Sequence, residues 1–285
     1  MADSYLFPSS FGTRFRMLCF REHPLFHERF LKRQARGVSP LMNRFFAAKE
    51  EEGSFSLSKE DQHHLVTVLR SKEKEEIEIV WQGELYLSRI EKLSPLRLIK
   101  IKKLDSKTEL PCPLYLGFSL LKGGHDELVF QKGTELGVSG FYPFISQRTI
   151  ISLDEKDKRK RLDRYQKIVL GAAMQSKRLN IPFVHPILSF KELLEAKANH
   201  RFIAYEELAS HSCDLLKKLA AMKPSETTLC LIGPEGGFRM EEVAFAKEKG
   251  FEPISLGSRI LRAETASLYF ASVFSSVSES ENESF

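Results

Sequence analysis

The sequence predicts a two-part α/β chain: a small all-β unit with one helix, followed by a parallel sheet covered by helices on both faces. Three observations predict it. Residues 42 to about 105 hold short runs of alternating apolar residues broken by tight turns, the pattern of a small β-barrel. From residue 114 onward, apolar strand runs alternate with segments of helical period, the pattern of parallel strands joined by helices. The chain has 285 residues, enough for two cores.

Composition bounds the function classes. Apolar residues make up 42% and charged residues 28%, ordinary for a globular chain. No apolar run reaches the about 18 residues of a membrane span. The four cysteines, at 19, 112, 213 and 230, have no C-x-x-C spacing, which argues against a zinc site or a disulfide scaffold. The N-terminus lacks the continuous apolar stretch of a signal peptide. The expectation is a reducing, cytoplasmic protein with no membrane and no metal partner. Net charge is +5, and four of those charges fall within residues 1–41. The rest of the chain is nearly balanced, so any RNA-binding face must be a local patch rather than bulk charge.

Residues 1–41 are rich in Arg and Phe and lack periodicity, and Met42 opens "MNRFF" as if afresh. They read as an N-terminal extension, disordered or mis-started; a basic targeting or RNA-contacting arm is the other reading. The first unit spans 42–110. Ser58 followed by Asp61 predicts a capped helix from Lys59 to about Leu69, burying Leu65, Val68 and Leu69. "EIEIVW" places Ile77, Ile79 and Trp81 on one strand face. Gln82-Gly83 makes a short turn into "ELYLSRI", where Leu85 and Leu87 alternate, and "LRLIKIK" supplies a strand with Leu96, Leu98 (or Ile99) and Ile101 as its apolar positions. Prolines 111 and 113 mark a linker.

The second unit spans 111–278. Its predicted strands are "LYLGFSLL", "FYPFIS", "RFIAYE", "TLCLIG" and "FEPISLG". Its predicted helices are "DELVFQKGTELG" closed by Gly137, the long "KRKRLDRYQKIVLGAAMQS" with Leu162, Tyr165, Val169 and Ala172 on one face, "CDLLKKLAAM", "MEEVAFAKEKG" closed by Gly250, and "AETASLYFASVFSSV". Glycine closes a helix because it enters the left-handed conformation without a Cβ penalty. Residues 279–285 read as a disordered acidic tail.

Two strands end in glycine loops, "LCLIGPEGG" and "ISLGSRILRAETA". Gly233, Gly236, Gly237 and Gly257 leave peptide groups bare, so a flat ligand can be read by N–H and C=O. Ligands of parallel sheets bind at carboxyl ends of strands. Two such loops at strand ends point to one shared pocket. The phosphate-loop and dinucleotide fingerprints are absent, and Glu235 repels a polyphosphate, so a neutral or cationic ligand fits better.

"LIGPEGGF" (231–238) and "LGSRILRAETA" (256–266), with "FQKGTELGV" (130–138), "YPFISQR" (142–148), "AAMQSKR" (172–178), "HHLVTVLR" and "MNRFF", closely resemble the RsmE-type 16S ribosomal RNA uracil-N3 methyltransferases of the SPOUT superfamily. The resemblance covers about residues 42 to 278. It implies a PUA-like RNA-binding β-barrel before a SPOUT-type parallel sheet whose chain end forms a trefoil knot. It further implies S-adenosyl-L-methionine as cofactor, a homodimer, and methylation of ring nitrogen 3 of one uridine in 16S rRNA of the small ribosomal subunit. Another RNA or a ribose oxygen as target, or a non-catalytic ribosome-assembly factor, are the competing readings.

On that resemblance, Ile232, Gly233, Glu235, Gly236, Gly237, Leu256, Gly257, Ile260 and Leu261 form the cofactor site. Glu235 either neutralises the ligand or orients its loop, or serves the N-terminus of the helix that begins near Arg239. Glu264 and Arg262 are the catalytic candidates, Glu264 as acceptor or positioner of the N3 proton and Arg262 as stabiliser of the uracil anion or of phosphate. The competing reading has Glu264 cap the last helix and pair with Arg262. Lys122, Arg148, Gln175, Arg178 and Arg259 are the RNA-binding candidates. Against the family pattern, Met174 replaces a glutamate, Lys177 a glycine, Ser258 a proline, Ala263 a threonine and Arg239 a Ser-type cap.

Overall fold

The computed structural model describes residues 42–151, 153–208 and 215–280, with only the backbone at residue 208. The expected extension 1–41, Cys19, Cys213 and residues 281–285 of the tail lie outside these described residues.

A six-stranded sheet forms first, in the order β1-β4-β5-β6-β3-β2. Its strands are β1 (Arg44–Phe46), β2 (Lys49–Glu51), β3 (Ser54–Ser56), β4 (Glu76–Trp81), β5 (Glu84–Leu93) and β6 (Leu96–Leu104). β1 and β2 end the order yet are separated by only Ala47 and Ala48. Two residues span about 7 Å, so the sheet curls until its edges nearly meet. Two-residue turns join its hairpins: Glu52 and Gly53, like Gln82 and Gly83, are both left-handed, as the twist of paired strands demands.

The core of this unit is Phe45, Phe55, Leu57, Leu65, Ile77, Ile79, Tyr86, Ile90 and Leu98. The short helix α1 (Lys59–His63) starts where expected, with the Ser58 hydroxyl accepting from the Asp61 amide at 3.0 Å. It then widens into a π turn over His64–Val68, closed by the Leu69 amide on the His64 carbonyl at 2.9 Å. This corrects the expected stripe. Leu65 is buried, but Val68 is 61% and Leu69 37% exposed, because the wider turn no longer stacks residues three apart on one face. Ile101, expected in the core, is 40% exposed. The β5–β6 ladder pairs Leu87 with Lys102 and Ser88 with Lys100, skipping Ile101. The bulge turns it outward and leaves Leu104 as the next buried apolar residue. β4 is also buried on both faces: Glu78 and Val80 lie inside with Ile77 and Ile79.

The second sheet is parallel throughout, in the order β10-β8-β7-β12-β11-β13, with β9 beside β8. Its strands are β7 (Leu114–Ser119), β8 (Gly140–Ile145), β9 (Phe183–Val184), β10 (Leu188–Ser189), β11 (His200–Ala204), β12 (Thr228–Ile232) and β13 (Glu252–Ile254). The helices are α2 (His125–Glu135), α3 (Glu155–Gln175), α4 (Phe190–Leu193), α5 (Leu215–Ala220), α6 (Met240–Glu248) and α7 (Ala263–Ser280). One face is sealed by α2, α3, α5 and α7 through Phe118, Phe130, Tyr165, Leu219 and Phe270 among others. The other is sealed by α4 and α6 through Phe144, Leu193, Leu231, Phe238 and Val243. In α3 the expected stripe is carried by Tyr165, Val169 and Ala172, while Leu162 is only partly buried. β9, β10 and α4 were not anticipated; their runs of two to four residues are too short to show a period. α7 extends through Ser280, so Glu279 and Ser280 of the expected disordered tail are helical.

β7 and β12 are adjacent, yet the chain leaves β7 toward β8 on one side and reaches β11 on the other. Such a reversal opens a crevice at the carboxyl ends of the strands.

Candidate functional site

That crevice is a cavity of about 640 Å³, within the usual range for a small-molecule site. Four neighbouring strands feed it from their carboxyl ends. β7 gives way to Lys122 and Gly123, β11 to Tyr205 and Glu206, β12 to Gly233–Gly237, and β13 to Ser255–Gly257. Arg259, Ile260, Leu261 and Arg262, with Ala263, Glu264 and Ala266 of α7, close the remaining wall.

Backbone geometry explains the glycines. Gly257 has φ +106° and a Cβ there would meet no atom within 4 Å, so its bare face opens on the cavity. Gly237 has φ +67°, and a Cβ would collide with Glu206 Oε1 at 1.8 Å. The two loops are laced to their surroundings. Glu235 Oε1 accepts the Lys122 amide at 3.2 Å, and Arg148 donates to the Gly236 carbonyl at 2.7 Å. The carboxylate at the start of α6 is Glu242, which accepts the Arg239 amide at 2.9 Å and the Gln147 amide at 3.0 Å. Of the two readings of Glu235, its contact is thus with the β7 loop, not with the helix start.

All nine expected cofactor residues line the cavity, as do Arg262, Glu264, Lys122 and Arg259. Arg148 reaches it through Gly236. Arg262 is exposed, and its side chain has no hydrogen bond or ion pair among the described residues. Glu264 does not pair with it; its carboxylate, 13% exposed, stands 3.4 Å from Nδ1 of His125.

Two RNA-binding candidates lie elsewhere. Arg178 is 2% exposed. Its guanidinium holds Glu109 in an ion pair and donates to the Thr134 carbonyl at 3.2 Å and to the Val138 carbonyl. A side chain so enclosed has no surface left for RNA, and the expectation is corrected: Arg178 is a structural tie. Gln175 is exposed at the end of α3, outside the cavity lining.

Sequence reasoning missed His125, Tyr205, Glu206 and Ser255 of the lining. His125 carried a signal, the adjacent "KGGH" glycines at a strand end. The others sit at the end of β11 or just after β13, where no glycine cluster marks them. Burial, with the Glu207 carboxylate nearby, pushes the Tyr205 phenol up to about 12, so it stays a neutral hydroxyl at the cavity wall. Burial also holds the Cys230 thiol well above its ordinary value, which fits a packing role in β12 rather than chemistry.

The fit to a sulfonium nucleoside can be judged from these walls. Left-handed glycines present peptide groups, Leu256, Ile260 and Leu261 offer apolar contact, and Glu235 and Glu264 supply negative charge. A flat base, a ribose and a cationic centre have partners of the matching kind.

The RNA methyltransferase domain family matches residues 108–275, and the RNA methyltransferase PUA domain family matches residues 57–103. Ribosomal RNA small subunit methyltransferase E of Bacillus subtilis (strain 168) is 34% identical over 234 residues, covering 79% of this chain and 91% of its own. The protein of the same name from Mesomycoplasma hyopneumoniae (strain 232) is 34% identical over 230 residues, covering 80% and 96%. Among solved structures, ribosomal RNA small subunit methyltransferase E from Neisseria gonorrhoeae bound to S-adenosyl methionine is 30% identical. It covers 83% of this chain and 98% of its own, with a TM-score of 0.73.

Proposed function

The chain belongs to the RNA methyltransferase family that includes ribosomal RNA small subunit methyltransferase E, and we propose from that premise that it methylates ring nitrogen 3 of a uridine in 16S rRNA, with S-adenosyl-L-methionine as donor. The observation that carries the reading is the joining of two glycine loops in one cavity beside the Glu264 carboxylate and two arginines, Arg259 and Arg262, whose side chains have no partner among the described residues. Action on the assembled small subunit, as a homodimer, belongs to the same proposal and rests on the family likeness.

When bound, the cofactor supplies a methyl group already activated on a sulfonium. The chain's own residues have three tasks. The first is alignment: peptide groups of Gly233, Gly236, Gly237 and Gly257 hold the donor against Leu256, Ile260 and Leu261, fixing the line of attack. Ile232, at the end of β12, supports the loop from below.

The second task is charge. A uracil nitrogen is a poor nucleophile until its proton leaves, and the departing proton leaves a developing anion. Arg262, exposed at the cavity rim, stabilises that anion or an adjoining phosphate. Lys122, Arg259 and the remaining donors of Arg148 hold RNA phosphate near the rim. Gln175 lies on a separate exposed surface and belongs to the proposal only as a more distant RNA contact.

The third task is the proton, which Glu264 accepts or whose acceptor it positions. The test is methylation of purified small subunits that lack the modification, followed by mapping of the modified nucleoside. N3-methyluridine at one position is expected; a methylated ribose, or no methyl transfer, would sink the reading. Glu264→Gln is expected to lower single-turnover transfer by about 10²-fold or more at saturating cofactor.

A further inference from the structure

We infer that His125 takes the proton from the uracil ring during methyl transfer and that Glu264 is its positioning partner, an inference that rests on the methyltransferase reading above and narrows the role of one of its residues.

The geometry supplies the argument. His125 is the first residue of α2 and follows two left-handed glycines, Gly123 at φ +65° and Gly124 at φ +80°. That double turn folds the imidazole back over its own loop: its Nε2 lies 3.7 Å from where a Cβ on Gly123 would stand. Nδ1 points at Glu264 Oε1, 3.4 Å away on α7. Nε2 has no hydrogen-bond partner among the described residues, and the ring is about half exposed in the cavity wall, while Glu264 is sheltered behind it. The sheltered carboxylate orients and the exposed nitrogen meets substrate. A 3.4 Å spacing is longer than a formed N–H···O bond, the loose state in which catalytic pairs commonly rest before substrate tightens them.

The chemistry selects the same assignment. A general base works best when it titrates near the working pH. An imidazole can donate from one ring nitrogen to a carboxylate while the other nitrogen accepts a proton, which the geometry at His125 allows. In the balanced step, the bond from uracil N3 to the methyl carbon forms. The methyl–sulfur bond breaks with its electron pair left on sulfur, and the N3 proton passes to His125 Nε2. One positive charge is lost at sulfur and one appears on the imidazolium, beside the Glu264 carboxylate, so the cavity's net charge is constant through the reaction.

The other charged groups around the ring do not compete for this task. Lys122, Arg259 and Arg262 are cations that favour the uracil anion. Glu235 is engaged with the Lys122 amide. On α2 itself, Asp126 is turned to Arg161 and Tyr165 of α3, and Glu127 to Arg164.

Nitrogen NMR of the free protein reads the pairing without any methyl transfer. With His125 neutral, the Nδ1–H tautomer is expected to dominate, and Glu264→Gln is expected to abolish that preference. Single-turnover methylation of small subunits at saturating cofactor reads the role. The wild-type rate should rise with pH across about pH 5 to 8, where imidazoles lose their proton. His125→Asn should run about 10²-fold slower with that rise gone. His125→Ala should regain rate when free imidazole is added. Cofactor affinity by calorimetry should remain at the wild-type level in both variants.

A dominant Nε2–H tautomer in the wild type would overturn the inference. So would a His125→Asn enzyme that keeps the wild-type rate and pH profile, or one whose only defect is cofactor affinity. If the wild type makes N3-methyluridine and His125→Asn makes it at the wild-type rate, this inference alone fails; if the product is a methylated ribose, the functional reading fails with it.

Discussion

At the scale of single residues, two backbone positions decide opposite questions. Gly237 holds a left-handed φ at the cavity wall with Glu206 packed where a Cβ would go. Gly237→Ala adds about 1–2 kcal/mol of backbone strain and displaces the flexible, exposed Glu206 side chain. Cofactor affinity should fall about tenfold by calorimetry, and the thermal midpoint should drop by several degrees, about 2–4 °C per kcal/mol of strain. Lys177 is the reverse case. It stands where the resembled family has glycine, and its φ is +63°, so strain alone favours Lys177→Gly by about 1 kcal/mol. Its ammonium, however, donates to buried Glu78 at 2.9 Å, and a hydrogen bond between charged groups contributes about 1.5–3 kcal/mol. The larger effect wins, and urea unfolding should show Lys177→Gly to be the less stable protein. Met174 has an equally local explanation: it packs onto the core of the first sheet, where a glutamate would bury a charge.

At the scale of elements, β7 is the strand that both faces of the second sheet depend on. Gly117 in its middle leaves room for Leu231 and Leu193: an added Cβ would stand 2.6 Å and 3.3 Å from their methyl groups. Gly117→Ala overpacks this interior and should cost about 1–3 kcal/mol in denaturant unfolding, with loss of methyl transfer following loss of fold. The start of α4 makes a pH-dependent contribution. The Ser189 amide, then its hydroxyl, hold the Glu192 carboxylate below the ordinary carboxylate range. A carboxylate depressed in the folded state stabilises fully above its unfolded value of about 4.3, and that contribution disappears as pH falls through the folded value. Glu192→Gln should therefore flatten part of the acid limb of the stability curve and leave stability at pH 7 slightly lower.

At the scale of the whole chain from residue 43 onward, the two sheets are joined by a buried charge cluster. Arg44 of β1 donates through Nε to Glu78 of β4 at 2.9 Å and through Nη1 to the carbonyls of both Lys177 and Arg178 after α3. Lys177 closes onto Glu78 from the other side. Glu78 is fully buried, and its Oε1 has no hydrogen-bond partner among the described residues. Removing Arg44 leaves a carboxylate in the interior with less compensation, a change that ordinarily costs about 3–5 kcal/mol. Arg44→Ala should lower the unfolding free energy read from denaturant melts by that amount. Because the joint fixes the first, PUA-like sheet against the second, the residual methylation of this variant should show a raised KM for small subunits at near-normal cofactor affinity.

What could be read from the sequence alone is what periodicity and turn chemistry encode. Alternation and helical spacing gave the β-rich first unit, the parallel second unit, the Ser58 cap and the Gly137 and Gly250 helix ends. Two glycine loops gave the cavity's floor, because glycine at a strand end is a local signal. What only the tertiary structure decided depends on groups brought together from distant segments. The π turn exposed Val68 and Leu69, and a bulge expelled Ile101, since both answer to ladder and helix registers that no local window contains. Arg178 and Glu78 became buried ties because Glu109 and Arg44 meet them in space. His125 came to Glu264 across 139 positions of sequence, carried there by the packing of α2 against α7. A charge's role is set by its neighbours and its exposure to water, and both are properties of the fold.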